Sequence, residues 1–380
     1  MATERIILVT AYNPRDVSKW SGTLYFLFDA LVKNPGGVKV EYIRGPLGTL
    51  DFAARAVNKI LRYFGVSLDC RFSTAFALIS GAYLTVRLLF AKSGTLLGIA
   101  ASNYLCYIKT SRDIIYVSDG TFRAIGALYP AFQQFPRWLR AQGDKNEQRT
   151  LSKARYIIYP SRWASDSAKL DYRVPNGKLI EIPFGPNISN DWIDRYYLQK
   201  SISCAQTIKL IFVSADWQRK NGDKAVEISR LLIDAGLHVR LTIIGVAPHY
   251  VTKLDFVEYM GFLRKSDPKQ LAKLCQAYRE AHFLLLPTIA DASPIVFSEA
   301  QAFGLPSITY DIGGTASAIA HGETGLLFLI GTPTNRFAEE IVRYVQSPDL
   351  YHDLSLNCRK RYQESANWGN WSKIIVRHLS

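Results

Sequence analysis

The stretch His282–Gly304, HFLLLPTIADASPIVFSEAQAFG, constrains the chain more than any other. Its apolar run His282–Leu286 is short and stops at Pro287, as a strand buried on both faces of a parallel sheet does. Ser293-Pro294 predicts a helix start, with serine at the N-cap and proline in the first helical position, where its missing N–H costs nothing. The amides of Ile295 and Val296 are then free, and the helix dipole favours an anion beside them. Strand, turn and helix N-terminus in that order make a phosphate site.

Two carboxylates flank this site, Asp291 in the turn and Glu299 eight residues on, within the helix. A diphosphate repels a carboxylate, so the two are expected to hold hydroxyl groups, of a hexose for Asp291 and of a ribose for Glu299. The same spacing is compatible with an aspartate that caps the helix and a glutamate that faces solvent.

The segment resembles the carboxylate-x7-carboxylate signature of retaining glycosyltransferase family 4. The likeness continues through Ala300, Ala302, Gly304 and Pro306, then Asp311-Ile-Gly-Gly-Thr315 and Gly322-Glu-Thr-Gly325. Aspartate stands where the family usually has glutamate first, one methylene shorter with the charge kept. The resemblance covers nearly the whole C-terminal half and is weaker over residues 1–150. It implies an α/β chain of GT-B fold, two doubly wound Rossmann-like domains facing across a cleft. Residues 1–185 would bind the acceptor and 186–365 the nucleotide-sugar donor, with the last helix, 366–380, packing back on the first domain.

The order of elements agrees with two such domains. Arg5–Tyr12, Val38–Ile43, Asp113–Asp119, Tyr156–Ser161 and Leu179–Pro183 read as short strands, while residues 50–110 are apolar and helix-like without a motif. Phe184-Gly-Pro-Asn187 breaks all periodicity and is the expected hinge. A second strand–helix series follows, with strands at Lys209–Val213, Val239–Gly245, Val257–Leu263, His282–Leu286 and Pro306–Tyr310.

In the loop Ser214–Gly222, Arg219 and Lys220 suit a diphosphate, one as a planar fork and one as a mobile point charge. The resemblance places the donor diphosphate in this loop, where a further basic residue is common and Ala215 stands instead. Gly261-Phe262-Leu263 resembles the wall that meets the nucleotide base through its backbone. The family's first loop carries glycines near the substrates, and here Gly22 alone remains; turn chemistry explains it as readily. The family often has a histidine near residue 119, yet no histidine precedes His238. Asp119, at a strand's C-terminal edge, is expected to take its place as acceptor-positioning group or base. An aspartate that closes the Asp-Gly turn is the alternative.

Residues 1–185 hold 25 Lys/Arg against 13 Asp/Glu, and residues 186–380 hold 21 against 19. A basic half joined to a neutral one suggests contact with anionic lipid headgroups or an anionic acceptor. Phe132, Phe135, Trp138 and Leu139 alternate with Arg137 and Arg140 and are the expected part of that surface, though such a mixture also suits a lid or a packing face. No basic helix, zinc pattern or RNA-binding motif accompanies the charge, so nucleic acid is not the expected partner. Five scattered cysteines without a CxxC predict free thiols in a reducing cytosol. The longest apolar stretch, Phe76–Ile108, is interrupted by Arg87 and Lys92, so the expected place is cytoplasmic, peripheral on the inner membrane face.

The function implied by the resemblance is a retaining hexosyltransferase without cofactor or metal. It would use a UDP- or GDP-linked sugar as co-substrate and a glycan or lipid-linked acceptor, in cell-surface polysaccharide or glycolipid synthesis. A GT-B sugar-nucleotide epimerase is expected to carry a histidine in the N-terminal half, and a phosphorylase to be longer with a pyridoxal lysine. A non-catalytic sugar-nucleotide-binding subunit stays open.

Overall fold

The structure is a computed structural model that describes residues 4–44, 49–65 and 68–379. The chain divides into two compact units, Met1–Ile182 with Trp368–Ser380, and Pro183–Asn367.

In the first unit the chain runs β1 (Arg5–Thr10), α1 (Thr23–Val32), β2 (Lys39–Arg44), α2 (Thr49–Tyr63), α3 (Thr74–Leu89), β3 (Thr95–Ile99), α4 (Ser102–Leu105) and β4 (Ile114–Val117). It continues through α5 (Phe122–Leu128), α6 (Pro130–Gln133), α7 (Arg137–Lys153), β5 (Tyr156–Tyr159), α8 (Arg162–Tyr172) and β6 (Leu179–Glu181). The six strands pair in parallel in the order β2-β1-β3-β4-β5-β6. Ile6 to Val9 of β1 are fully buried, which is why they read as a continuous apolar run. Side-chain oxygens satisfy helix starts: Ser73, Thr121 and Ser161 accept from the amides of Phe76, Ala124 and Ala164 at 3.2, 3.1 and 3.3 Å.

The second unit comprises α9 (Asn190–Tyr196), β7 (Ile208–Ser214), α10 (Gly222–Asp234), β8 (Val239–Gly245), β9 (Val257–Gly261), α11 (Pro268–Glu280) and β10 (Phe283–Leu285). It ends with α12 (Ile295–Ala302), β11 (Ser307–Asp311), α13 (Thr315–Ala318), β12 (Gly325–Leu329), α14 (Thr334–Gln346) and α15 (Pro348–Glu364). Its parallel sheet has the order β12-β11-β10-β7-β8-β9. Read from β9, that is the doubly wound order whose topological switch lies between β7 and β10, and ligands bind where the strand order reverses. The last helix, α16 (Trp368–Arg377), belongs to the first unit. There Trp371 and Ile375 are buried and Asn34 Nδ2 donates to Ser372 Oγ at 3.0 Å.

Three features depart from the sequence reading. β3 lies inside the stretch read as helix-like, because five apolar residues among apolar neighbours carry no period that separates strand from helix. β12 adds a sixth strand to the second sheet, from a segment read only as a motif. Phe132 and Phe135 do not form an open surface: they pack with Phe72 and Phe122 in one aromatic cluster, with ring centroids 5.1–6.0 Å apart. Trp138 stays exposed.

Lys200 and Glu147 are among the ionisable groups buried in these cores. Lys200 donates to the carbonyls of Tyr278, Arg279 and Ala281 at 2.9, 2.9 and 2.8 Å, closing the C-terminal end of α11, while burial pushes its amine down to about 7. Glu147 of α7 is 2% exposed, with the Tyr116 hydroxyl 3.4 and 3.5 Å from its two oxygens. Burial lifts its carboxyl to about 7. A raised carboxyl binds its proton more tightly in the folded than in the unfolded chain. Its favourable contribution is therefore complete below the ordinary 4.5 and lost as pH rises through 7. Glu147→Gln keeps the neutral shape at every pH. It is expected to raise the melting temperature at pH 8 and leave it unchanged at pH 4, a difference on the order of 3 kcal/mol. Equal melting shifts at both pH values would mean that the carboxyl is not protonated in the core.

Candidate active site

At the switch of the second sheet, the loops after β7 and β10 are stitched together. The carbonyl of Arg219 accepts from the Ile289 amide at 3.0 Å and the Thr288 hydroxyl at 3.2 Å. The Arg219 guanidinium in turn donates to the Ala290 carbonyl at 2.8 Å and, through Nε, to Asp216 at 3.0 Å. Lys220, the next residue, sends its amine to Asp291 Oδ2, and Arg219 Nη1 lies 4.0 Å from the same oxygen. Lys220 and Asp291 are both buried, and burial, with Arg219 alongside, depresses the Lys220 amine well below its usual range. Asp291 is the counter-charge that offsets this cost. The loop after β11 joins them, since the Gly314 amide donates to the Asp291 carbonyl at 2.9 Å.

The residues expected to serve two different ligands thus touch one another. Arg219 and Lys220 were read as diphosphate ligands and Asp291 as a sugar ligand, but the three form one cluster. The sequence could not show this, because Lys220 and Asp291 lie 71 residues apart and meet only through the pairing of β7 with β10.

The helix start differs by one residue from the expected one. Pro294, not Ser293, is the N-cap, with φ −74° and ψ 96°; it stays extended, and no side chain caps it. The Phe297 amide closes onto the Pro294 carbonyl at 3.0 Å, while the amides of Ile295 and Val296 have no acceptor among the described residues. The phosphate-type feature is therefore present in α12, without serine capping.

Glu299, one turn inside α12, is buried, not solvated. Its Oε1 pairs with Lys265 and its Oε2 accepts from the Tyr278 hydroxyl at 3.0 Å. Neither partner was named from the sequence. Tyr278 reads as core on α11, where its ring stacks on Phe303 at 5.4 Å; Lys265 carried a usable signal, a cation just past the end of β9. Phe262 is exposed and Leu263 packs against the core, directly after Gly261 at φ 67°. One close approach fixes the β7 loop from below. A Cβ on Gly245, at φ 114°, would stand 1.8 Å from the Ser214 carbonyl oxygen, so the end of β8 can pass there only as glycine. A separate pocket of about 640 Å3 opens beside α11, lined by Lys209, Arg240, Thr242 and Glu258 among others, and shares no residue with this cluster.

In the first unit, Asp119 follows β4. Ser118 closes the turn through Gly120 and Thr121 caps α5, so neither task falls to the Asp119 carboxylate. Desolvation raises its pKa, against which its own backbone amide and the Trp20 side chain bond the charged form. Trp20 comes from the loop after β1, where Trp20, Ser21 and Gly22 have φ of 50°, 56° and 92° in succession. Left-handed backbone is natural for Gly22 and costly for a bulky tryptophan. Gly22 is buried at the start of α1.

Residues 207–347 match the family described as glycosyl transferases group 1. A D-inositol 3-phosphate glycosyltransferase of Actinosynnema mirum is 25% identical over 225 residues, 56% of this chain and 54% of that protein; the match spans about half of that relative's length and 31% and 42% of two others of the same name. Two solved structures superpose over nearly the whole chain. The lipopolysaccharide outer core galactosyltransferase WaaB gives a TM-score of 0.66 at 13% identity, covering 99% of this chain and 100% of that one. Anabaena Alr3699/HepE, solved with UDP and glucose, gives 0.59 at 15% identity, covering 98% of each. The chain therefore has the GT-B fold, and its residues 207–347 match the model of the glycosyl transferases group 1 family.

Proposed function

We propose that this protein is a retaining glycosyltransferase that moves a hexose from a UDP- or GDP-linked donor to a hydroxyl of a glycan or lipid-linked acceptor. The observation that carries this reading is the cluster at the β7/β10 switch. A fork-shaped cation and a second cation meet Asp291 there, three residues before the N-cap of α12, whose Ile295 and Val296 amides have no acceptor among the described residues, all inside the segment that matches the group 1 family. The neighbour solved with UDP and glucose supports a nucleotide-sugar donor by analogy of fold.

The donor diphosphate would lie against the amides of Ile295 and Val296 and draw Lys220 and Arg219 toward it. That charge competes with Asp291 for Lys220, and Asp291 is thereby released to accept a hydroxyl of the sugar. Glu299, oriented by Tyr278 and Lys265, would accept the ribose hydroxyls, and the turn at Phe262 and Leu263 would face the base. The cations and the helix dipole would stabilise the leaving diphosphate, so the chemistry asks for no metal. Asp119, held by Trp20, would position the acceptor hydroxyl or take its proton.

Replacing Arg219 and Lys220 together by alanine is expected to weaken UDP or GDP binding by more than ~2 kcal/mol, as two charge-assisted contacts are lost. The same change leaves Asp291 buried without a counter-charge and should lower stability as well. Adding Asp291→Asn to the double variant should restore the melting temperature but not the binding. Unchanged affinity by calorimetry in the double variant would put the diphosphate elsewhere.

Asp291→Asn alone should impair turnover more than nucleoside-diphosphate binding, and Glu299→Gln should weaken the nucleoside diphosphate while the fold survives. Equal losses of UDP-sugar and UDP affinity in Asp291→Asn would remove the sugar role. Binding without turnover, across a broad panel of donors, would favour a non-catalytic sugar-nucleotide-binding subunit.

Asp119→Asn is expected to slow transfer by at least ~100-fold, the scale of a lost general base, with donor binding and melting near the parent values. Near-normal transfer would return Asp119 to turn chemistry.

A further inference from the structure

Helix α3, TAFALISGAYLTVRLL, is apolar all round, yet it is only half covered. Phe76, Ala77, Ser80, Gly81, Leu84 and Leu88 face the core. On the opposite arc Leu78, Ile79, Tyr83, Val86 and Leu89, followed by Phe90, are exposed, with Leu89 and Phe90 reaching 76% and 86%. Their spacing of three and four residues makes one continuous stripe.

Helix α2 shows the same inversion. Ala54 and Asn58 face inward, while Phe52, Val57, Ile60 and Tyr63, followed by Phe64, are exposed. The helix is fastened to the body by polar contacts: Asn58 donates to Asp69 at 2.9 Å and accepts from the Cys70 amide at 3.0 Å. A helix apolar all round, as α3 is, is normally buried, and the amphipathic α2 turns its apolar arc outward, so the two exposed arcs on one unit mark an interaction surface.

Charge identifies the kind of occupant. Residues 49–92 hold six Lys/Arg against two Asp/Glu, and Lys59, Arg87 and Lys92 are exposed beside the apolar arcs. One of the two acids, Asp69, is spent on Arg71. The whole first unit holds 27 Lys/Arg against 13 Asp/Glu, whereas the second balances 19 against 19. A second copy of the chain would set cationic rim against cationic rim, since an isologous interface pairs the same patch with itself. A surface with an apolar interior and an anionic face is complementary to both features. With 16 residues α3 is too short to cross a bilayer, and among the described residues no helix is long and apolar enough to do so.

We infer that the exposed arcs of α2 and α3 form a docking face for an anionic lipid bilayer, lying in its interface with Lys59, Arg87 and Lys92 at the headgroups. The apolar side chains enter the headgroup–acyl boundary and supply a salt-resistant part of the affinity. The lysines and arginines supply a part that falls as salt screens them. This face is distinct from the Phe132–Arg140 stretch, whose phenylalanines are half-buried in an aromatic cluster.

The test is flotation of the full-length chain with vesicles of phosphatidylglycerol and phosphatidylcholine, or of phosphatidylcholine alone, without any sugar nucleotide, so that it is independent of transferase activity. The chain is expected to float with the anionic vesicles and hardly with the neutral ones. The variant Ile79→Glu/Val86→Glu/Phe90→Glu, all at exposed positions, is expected to bind at least about tenfold more weakly. Lys59→Glu/Arg87→Glu should lose about tenfold on anionic vesicles only. Circular dichroism and melting of each variant, near those of the parent, exclude unfolding as the cause. No flotation with anionic vesicles at low salt, or flotation undiminished in the triple variant, would overturn the inference. So would a concentration-dependent dimer that the triple variant abolishes, because a second copy would then be the occupant.

Discussion

The buried pair of Lys220 and Asp291 holds the candidate donor site in shape. Each group alone would be costly to bury, and each has a partner only because β7 and β10 lie side by side at the reversal of strand order. The pair joins the loop that carries the cations to the loop that leads into α12. Arg219 adds a second seam through the Ala290 carbonyl, and Gly314 ties in the loop after β11. A site assembled this way is organised before any ligand arrives. It is also self-neutralised, so an anion has to supply more than the carboxylate it replaces. In the donor reading proposed above, a diphosphate beside the Ile295 and Val296 amides would meet that condition better than a monoanion.

The first unit holds its carboxylate by a different means. Three successive left-handed residues, Trp20 to Gly22, aim the Trp20 side chain at Asp119. Glycine adopts that backbone without cost, and tryptophan does not, so the surrounding packing has to maintain it. Behind Asp119, Glu147 with Tyr116 and Tyr159 forms an acidic interior that opposes further ionisation.

Much of this was legible in the residue order, and the limits have physical causes. The strand at Phe283–Leu285, the start of α12, the cations at 219 and 220 and both carboxylates announce themselves through local chemistry. Their pairing does not, because it depends on which strands are neighbours. Lys265 and Tyr278 stayed hidden for the same reason: each touches Glu299 only after β9 and α11 are laid beside α12. β3 was missed since a five-residue apolar run in apolar surroundings has no readable period. For α3 the composition was visible, but a helix that is apolar all round does not reveal which arc the core will take, and in the amphipathic α2 the core takes Ala54 and Asn58 and leaves the apolar arc outside. Likewise the phenylalanines of 132–135 were evident, while their burial against Phe72 and Phe122 was not.

Gly245 carries no functional group, yet the position of the β7 loop depends on it. Any side chain there would collide with the Ser214 carbonyl oxygen and lift the segment that leads to Arg219 and Lys220. In a survey of substitutions scored by activity, this glycine would therefore rank with the charged residues of the site. In a survey scored by ligand contacts it would not register at all. The two kinds of map would disagree most sharply at a residue whose contribution is the space it leaves empty.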